Sequence, residues 1–430
     1  MKDIFQSVKG MHDYLPKELI LWNKVENILK EILFNYSYFE IRLPIVENTI
    51  LFKKSMGSMT DIIGKEMYSF NDKNGNNLTL RPEATVGCVR SMIQNQLLYH
   101  KKQKLWYYGP MFRYERPQKG RYRQFFQFGI ETFGFLEPEI ELEVIILINK
   151  FLKKLNISDY VFLEINSIGS LASRKKYQNI LKHFLYKHID LLDNHCINQL
   201  HNNSLRILDS KSTKIQNILK KSPILMDFIT SQERIHFQKL CNLMDSFNIQ
   251  YIINPRLVRG LDYYNNTVFE WKTNFLGSKN TICAGGRYDT LVENLGGPQT
   301  PAMGLAIGME RLLLLLKSLS IFNEKNIMID IYILLDSEEI KLFAIDLSEN
   351  IRNNFPMLKT FLEFQPVNFN KIFKNIKKYN TNILLLLEKN KIKNNLIRFY
   401  NFINKENCIV HINNLIKKIH SDYFDKYNRK

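Results

Sequence analysis

The sequence predicts a mixed α+β protein in two globular parts, the first interrupted by a helical insertion. Three observations carry this reading. Strand-like and helix-like pieces mingle over residues 1–170. Helical periodicity then runs from Leu171 to about Asn254. Strand text returns over residues 255–320 and ends in a glycine-rich stretch, and alternating strand and helix patterns resume over residues 327–430. A chain of 430 residues has room for two or three separate cores.

The first helix is expected after Pro16, where Leu21/Trp22, Val25, Ile28/Leu29, Ile32/Leu33 and Tyr36 recur on one face. Pro44 lies inside an extended run, residues 39–46, and a central strand would lose a backbone donor there. That segment is therefore expected to be an edge strand or to make an unusual contact, for instance across a subunit interface. Leu105-Trp106-Tyr107-Tyr108 and Phe125-Phe126-Gln127-Phe128 read as strands around a Gly/Pro-punctuated basic loop, residues 116–123. In the insertion, Ser173 is placed to cap a helix bearing Tyr177, Ile180, Leu181, Phe184 and Leu185. A second stripe runs through Phe237, Leu240, Cys241, Met244 and Phe247. Strands follow at Tyr251-Ile252-Ile253 and Val268-Phe269-Glu270-Trp271, and an apolar helix follows Arg311. After a boundary near residues 318–326, strands are expected at 327–335 and 383–387, with a helix at 369–379.

Bulk features narrow the function classes. The longest aliphatic runs, residues 144–148, 312–316 and 383–387, are far short of the roughly 20 residues needed to cross a bilayer. Residues 1–14 carry no sustained apolar run, so no secretory signal is read and the expected location is cytoplasmic, with no membrane partner. Five cysteines (Cys88, Cys196, Cys241, Cys283, Cys408) show no Cys-x-x-Cys spacing, which suits a reducing compartment and argues against structural zinc. The net charge of +18 is partly discounted by a Lys/Asn/Ile-rich, A/T-codon composition. Its placement is more telling. Residues 101–123 hold eight basic residues against Glu115 alone, and residues 365–430 hold fourteen against four. Such clusters favour a polyanionic partner.

Two segments could carry chemistry. In Phe112-Arg113-Tyr114-Glu115, Arg113 and Glu115 lie two apart and share a strand face. The following loop offers cations able to clamp a phosphate chain, and Phe125, returning on the next strand, offers a platform for a purine. An exposed basic hairpin is the plainer alternative. In Gly304-Leu305-Ala306-Ile307-Gly308-Met309-Glu310-Arg311, the glycines admit close approach of a backbone or ligand, and Arg311 emerges where strand becomes helix. Tight strand–helix packing would explain that segment equally well.

Taken with the proline-bearing run at 39–46, these segments resemble the three ordered motifs of class II aminoacyl-tRNA synthetases. Leu257-Val258-Arg259-Gly260-Leu261-Asp262-Tyr263-Tyr264 and Ala284-Gly285-Gly286-Arg287-Tyr288-Asp289 resemble the two blocks peculiar to histidyl-tRNA synthetases. The similarity extends from Gly10 to about Leu316. It implies an antiparallel class II sheet flanked by helices, a helical insertion, and a C-terminal α/β anticodon-binding domain. It implies ATP as a substrate with Mg2+, L-histidine and tRNA(His) as partners, a homodimer with Pro44 at its interface, and no DNA partner. Arg113 and Arg259 would flank the α-phosphate, with Glu115 at the adenine edge and Phe125 stacked beside it. Arg121 and Arg311 would hold the outer phosphates. The histidine would meet Glu83, Thr85 and Gln127 at its ammonium group, and Glu131 and Tyr264 at its ring, with Tyr263 and Tyr288 completing the pocket. No carboxylate cluster identifies metal ligands.

Ala84 departs from the family's usual glycine, a change worth about 1 kcal/mol if the position needed positive φ. The tail resembles its counterpart less closely. Gln365-Pro366-Val367-Asn368 stands where relatives often carry glycines, and Leu387-Glu388 where a Gly-Glu pair is common. Lys371, Lys374, Lys377 and Lys378 are candidate phosphate contacts or simply a solvated helix face. The rival is a non-catalytic relative, the regulatory subunit of ATP phosphoribosyltransferase. Such relatives lose parts of the catalytic blocks and the C-terminal domain, whereas Arg113, Arg259 and Arg311 are all present here.

Overall fold

A computed structural model describes every residue except 1–4, 57–59, 61, 100, 211, 278–279, 322–328, 370–380 and 428–430. It divides into two compact units, Met1–Phe322 and Asn323–Lys430. Helix α1 spans Pro16–Asn35, with Pro16 at its first turn and Trp22, Val25, Leu29, Ile32 and Leu33 buried on the predicted face. The extended run predicted at 39–46 is split. Strand β1 is Phe39–Glu40, and β2, Val46–Asn48, belongs to another sheet. Pro44 sits in the break, where its missing N–H costs no ladder bond. The guanidinium of Arg81 holds the break by donating to the carbonyls of Leu43 (3.0 Å) and Pro44 (3.4 Å).

Helix α2 (Thr49–Met56), β3 (Tyr68–Asn71), β4 (Asn77–Leu80) and α3 (Thr85–Gln94) lead into the long hairpin of β5 (Gln103–Phe112) and β6 (Gln124–Phe133). Next come α4 (Glu139–Lys154), β7 (Phe162–Ser167), α5 (Leu171–Tyr186), α6 (Asn194–Asn202), α7 (Thr213–Leu219) and α8 (Ser231–Ser246). The unit closes with β8 (Ile252–Ile253), β9 (Asn265–Lys272), β10 (Thr281–Arg287), α9 (Leu291–Asn294), β11 (Ala302–Gly308) and α10 (Met309–Ser318). Its main sheet has the order β1-β5-β6-β11-β10-β9-β7-β8. The five pairings from β5 to β7 are antiparallel, while β1 and β8 join as short parallel strands at the edges. A small sheet, β2-β4-β3, lies apart from it.

Alternation along each strand gives the sheet two apolar faces. Trp106, Phe128, Ile130, Phe269 and Ile307 face a core built with α1, α4, α8 and α10. Leu105, Tyr107, Phe133 and Val268 face the other, built with α3 and α5. The helices between 171 and 246 thus have no core of their own. Two sequence expectations need correction here. The cap of α5 is Ser170, whose hydroxyl accepts from the Ser173 amide at 3.3 Å; Ser173 is buried and donates to Glu233 instead. Phe247 ends the α8 stripe 59% exposed, because the helix stops one residue before it.

In the second unit, β12 (Ile329–Leu335), α11 (Lys341–Asn354), β13 (Thr360–Leu362), β14 (Thr381–Leu387), β15 (Leu396–Asn401) and β16 (Glu406–His411) precede a last helix, Ile412–Tyr427. The sheet order is β13-β12-β14-β15-β16, parallel for its first three strands and antiparallel after them. Glu388 is ion-paired with Arg398 at 2.7 Å and with Lys391. Apart from Phe369, the helix expected at 369–379, with Lys371, Lys374, Lys377 and Lys378, lies outside the described residues.

Candidate active site

On the face of the main sheet opposite α1 lies a cavity of about 370 Å3. Its wall includes Glu83, Thr85, Arg113, Glu115, Arg121, Phe125, Gln127, Arg259, Tyr263, Tyr264 and Arg311. The hairpin β5–β6 supplies Phe125 and Gln127 directly and Arg113, Glu115 and Arg121 from its loop. The segment between β8 and β9 supplies Arg259, Tyr263 and Tyr264, and Arg311 stands in the first turn of α10. Glu83 and Thr85 come from the start of α3, so residues from four separate stretches of sequence converge on one cleft.

Glu83 caps α3: its carboxylate accepts from the amides of Thr85 (2.8 Å) and Val86 (2.9 Å). Burial raises its pKa, against those hydrogen bonds and the nearby Arg113. Between Glu83 and Thr85, Ala84 has φ −119°, an ordinary conformation, so alanine brings no left-handed strain there. Arg113 is fixed by its Nε donating to the Pro82 carbonyl at 2.8 Å, and its guanidinium lies 5.2 Å from the Phe125 ring centre.

The cations crowd one another. Burial, Arg113 and Arg121 together push the Arg311 guanidinium down to about 10. Arg311 is held by carbonyls, donating to Gly120 and Thr281 at 3.1 Å each. Arg121 folds against Glu115 and lies 3.6 Å from Glu66. Arg259 pairs with Glu270 and sits 5.5 Å from the Tyr264 ring centre. Burial acts to lower Arg259, but the charge of Glu270 prevails and holds it above its usual value. Four guanidinium groups around one small cavity form an anion site.

Two predicted residues stand outside that wall. Glu131 is fully buried one layer beneath it, accepting from Thr85 (2.7 Å), Tyr107 (3.0 Å) and Tyr288. Burial pushes its carboxyl up to about 8 despite these donors, with Glu83 adding to the shift. Tyr288 is buried against it and 5.8 Å from Tyr263, ring centre to ring centre. Thr85 and Tyr107 thus separate Glu131 from the cavity. Glycines opposite these side chains make the room: Gly304 pairs in register with Glu131, and Gly129 with Tyr107. A Cβ at either glycine would land on its partner's side chain.

Sequence reasoning passed over Tyr107, Glu270, Glu310 and Asp209, which also line the cavity. Tyr107 and Glu270 sit in apolar strand text, where only the i, i+2 relation to other polar residues could have marked them. Glu310 accepts from Tyr14 (2.7 Å) and the Phe126 amide (2.8 Å), and burial pushes it up to about 7. Among the described residues no group of three or more His, Cys, Asp or Glu is gathered as a metal site.

The antiparallel-rich sheet, with its cleft between hairpin and terminal strands, has the class II aminoacyl-tRNA synthetase fold. A family model described as histidyl-tRNA synthetase matches residues 10–312, and the chain belongs to that family. It is 55% identical to the histidine–tRNA ligase of Buchnera aphidicola subsp. Schizaphis graminum over 92% of each chain. It is 47% identical to that of Blochmanniella floridana over 97% of each. Apo histidyl-tRNA synthetase of S. aureus superposes with a TM-score of 0.79 at 31% identity, covering 96% of this chain and 99% of that one.

Proposed function

We propose that this chain joins histidine to tRNA in two steps within the described cleft. The chain is a histidine–tRNA ligase and uses ATP. Histidine's carboxylate attacks the α-phosphorus of ATP and pyrophosphate leaves; a terminal ribose hydroxyl of tRNA(His) then attacks the adenylate's carbonyl carbon, giving up its proton as the anhydride bond breaks and AMP leaves. In the first step the attacking carboxylate is already ionised near neutral pH, so that step needs no general base. The protein's work is positioning and stabilisation of charge building on the phosphate.

Convergence of Arg113, Arg121, Arg259 and Arg311 on a cavity of about 370 Å3 is the observation that carries this reading. Arg113 and Arg259 take the reacting α-phosphate, and Arg121 and Arg311 take the outer phosphates. Phe125 carries the adenine, and Glu115 meets its edge after releasing Arg121. Glu83, Thr85 and Gln127 receive the histidine ammonium. Tyr264 reads the ring, and Glu131, one layer beneath the wall, acts on it through Thr85 and Tyr107; Tyr263 shapes the pocket and Tyr288 backs it by holding Glu131. Mg2+ would come with ATP and neutralise part of the phosphate charge that Arg113, Arg121, Arg259 and Arg311 also face.

Exposed Phe39, Ile45, Val46, Ile50 and Phe70, on consecutive elements around Pro44, favour a homodimer through that face. Residues 171–254 serve as the helical insertion, and residues 327–430 as the anticodon-binding domain of a cytoplasmic enzyme. No helix among the described residues is long and apolar enough to cross a membrane. The deciding experiment is ATP–pyrophosphate exchange with each of the twenty amino acids, followed by tRNA charging. Exchange with histidine alone is expected; no exchange with any amino acid would point to the regulatory-subunit reading.

A further inference from the structure

Among the described residues no backbone carbonyl holds the Arg259 guanidinium, unlike those of Arg113 and Arg311. Arg259 meets the Glu270 carboxylate through Nη1, and the side chain of Tyr264. Its Nε is buried without a hydrogen-bond acceptor. One edge of the guanidinium is thus engaged, and another donor remains to be satisfied inside the cavity. A buried, unpaired N–H beside an anion site is a group waiting for an anion.

Glu270 is built to stay put. It lies on β9, is 8% exposed, and uses its Oε1 for Arg259. Its Oε2 accepts from Thr281 Oγ1 at 3.1 Å and lies 3.3 Å from Lys272 Nζ. Lys272 is anchored in turn by Glu164 at 2.8 Å, and Glu164 accepts from Asn254 Nδ2 at 2.7 Å. Register explains the chain of charges. Glu164 on β7 stands directly opposite Glu270 on β9, and Lys272, two residues along β9, neutralises both. The second oxygen of Glu270 is therefore compensated whether or not Arg259 moves toward a ligand.

We propose that Glu270 is the positioning residue for adenylate formation: it fixes the Arg259 guanidinium by one nitrogen, leaving the Nε edge directed at the α-phosphate. This rests on the role given to Arg259 above. Without Glu270 the long side chain samples many rotamers, and phosphate contact costs the entropy of ordering it. Lys272 and Glu164 serve by holding Glu270.

Single-turnover adenylate formation, with a double-mutant cycle, tests this. Glu270→Ala is expected to slow the step about a hundredfold while leaving the KM for histidine within about threefold. Glu270→Gln, which keeps an acceptor oxygen, is expected to recover about tenfold of that loss. In an Arg259→Ala background either change should cost less than about threefold more, because its target is gone. A folded Glu270→Ala enzyme with the wild-type rate overturns the inference, as does a full loss on top of Arg259→Ala. If Glu270→Ala does not fold, the Glu270→Gln cycle answers the same question. Should Arg259→Ala itself leave the step intact, the Arg259 role fails; if only Glu270→Gln and Glu270→Ala are silent, this inference alone fails.

Discussion

Glu131 receives three hydroxyl donors, yet burial outweighs them and its carboxyl stays protonated up to about 8. Its ordinary value is 4.5. Between those two values the folded chain holds a proton that the unfolded chain has lost, so stability falls as pH rises. The contribution is fully present below about 4.5 and lost on passing about 8. Glu131→Gln removes this dependence. Its thermal midpoint, relative to wild type, is expected to improve steadily from pH 5 to about pH 8.5, and a pH-independent difference would refute the shift. Arg259 gives the complementary chemical prediction. Arg259→Ala should lower histidine-dependent ATP–pyrophosphate exchange about a hundredfold or more, equivalent to about 3 kcal/mol of transition-state stabilisation. Circular dichroism should be unchanged, and near-normal exchange by the folded variant would remove Arg259 from the mechanism.

Strand β11 is where packing and site meet. A Cβ at Gly304 would land on Glu131 Oε2, which is buried and held by Tyr288, and lie 2.7 Å from the Ile130 carbonyl, which is backbone. Gly304→Ala is expected to cost about 3 kcal/mol in urea unfolding, whereas Gly260→Ala, with nothing within 4 Å of its added Cβ, should be nearly neutral. Equal midpoints for the two variants would contradict the geometry. At the end of β10, Arg287 is 1% exposed and donates to Glu141 (2.7 Å) and the Phe135 carbonyl (2.6 Å). Glu141 also meets His236 of α8 at 2.8 Å. This network ties the glycine-rich block to α4 and the insertion, so Arg287→Ala should cost about 3–5 kcal/mol by stranding a buried carboxylate. The sequence marked residues 285–289 for function, and Arg287 turns out to be a strut. Elements with strong periodicity, such as α1, β5 and β6, were legible because alternation and helical spacing report burial directly. Pro44 in an extended run signals an edge or an interface; that it divides two sheets depends on Arg81, some 40 residues away along the chain, and no local pattern contains that. Glu270 and Tyr107 were invisible for a related reason: a lone polar residue in an apolar strand acquires meaning only from cross-strand partners.

At the scale of the whole molecule, each unit carries its own apolar clusters. Those of Met1–Phe322 and those of Asn323–Lys430 share no residue. Every residue proposed to touch ATP or histidine belongs to the first unit, while the larger of the two positive clusters, fourteen basic against four acidic residues, falls in 365–430. On the proposed roles of the two units, activation and tRNA capture are expected to be separable. A chain ended after Phe322 is expected to keep histidine-dependent pyrophosphate exchange within about tenfold of the full chain, because it retains both clusters around the cleft. Charging should fall much further, through a raised KM for tRNA. The full chain's tRNA KM should rise steeply with salt as counterions compete for the same phosphates, and the shortened chain should show a shallower slope. Replacing Lys371, Lys374, Lys377 and Lys378 together by Gln in the full chain should reproduce part of that flattening without altering exchange. An unchanged salt slope in the four-lysine variant would leave those lysines as solvated surface charges. An unchanged slope in the shortened chain would move the electrostatic contact to the basic loop at 116–123, beside the cleft itself.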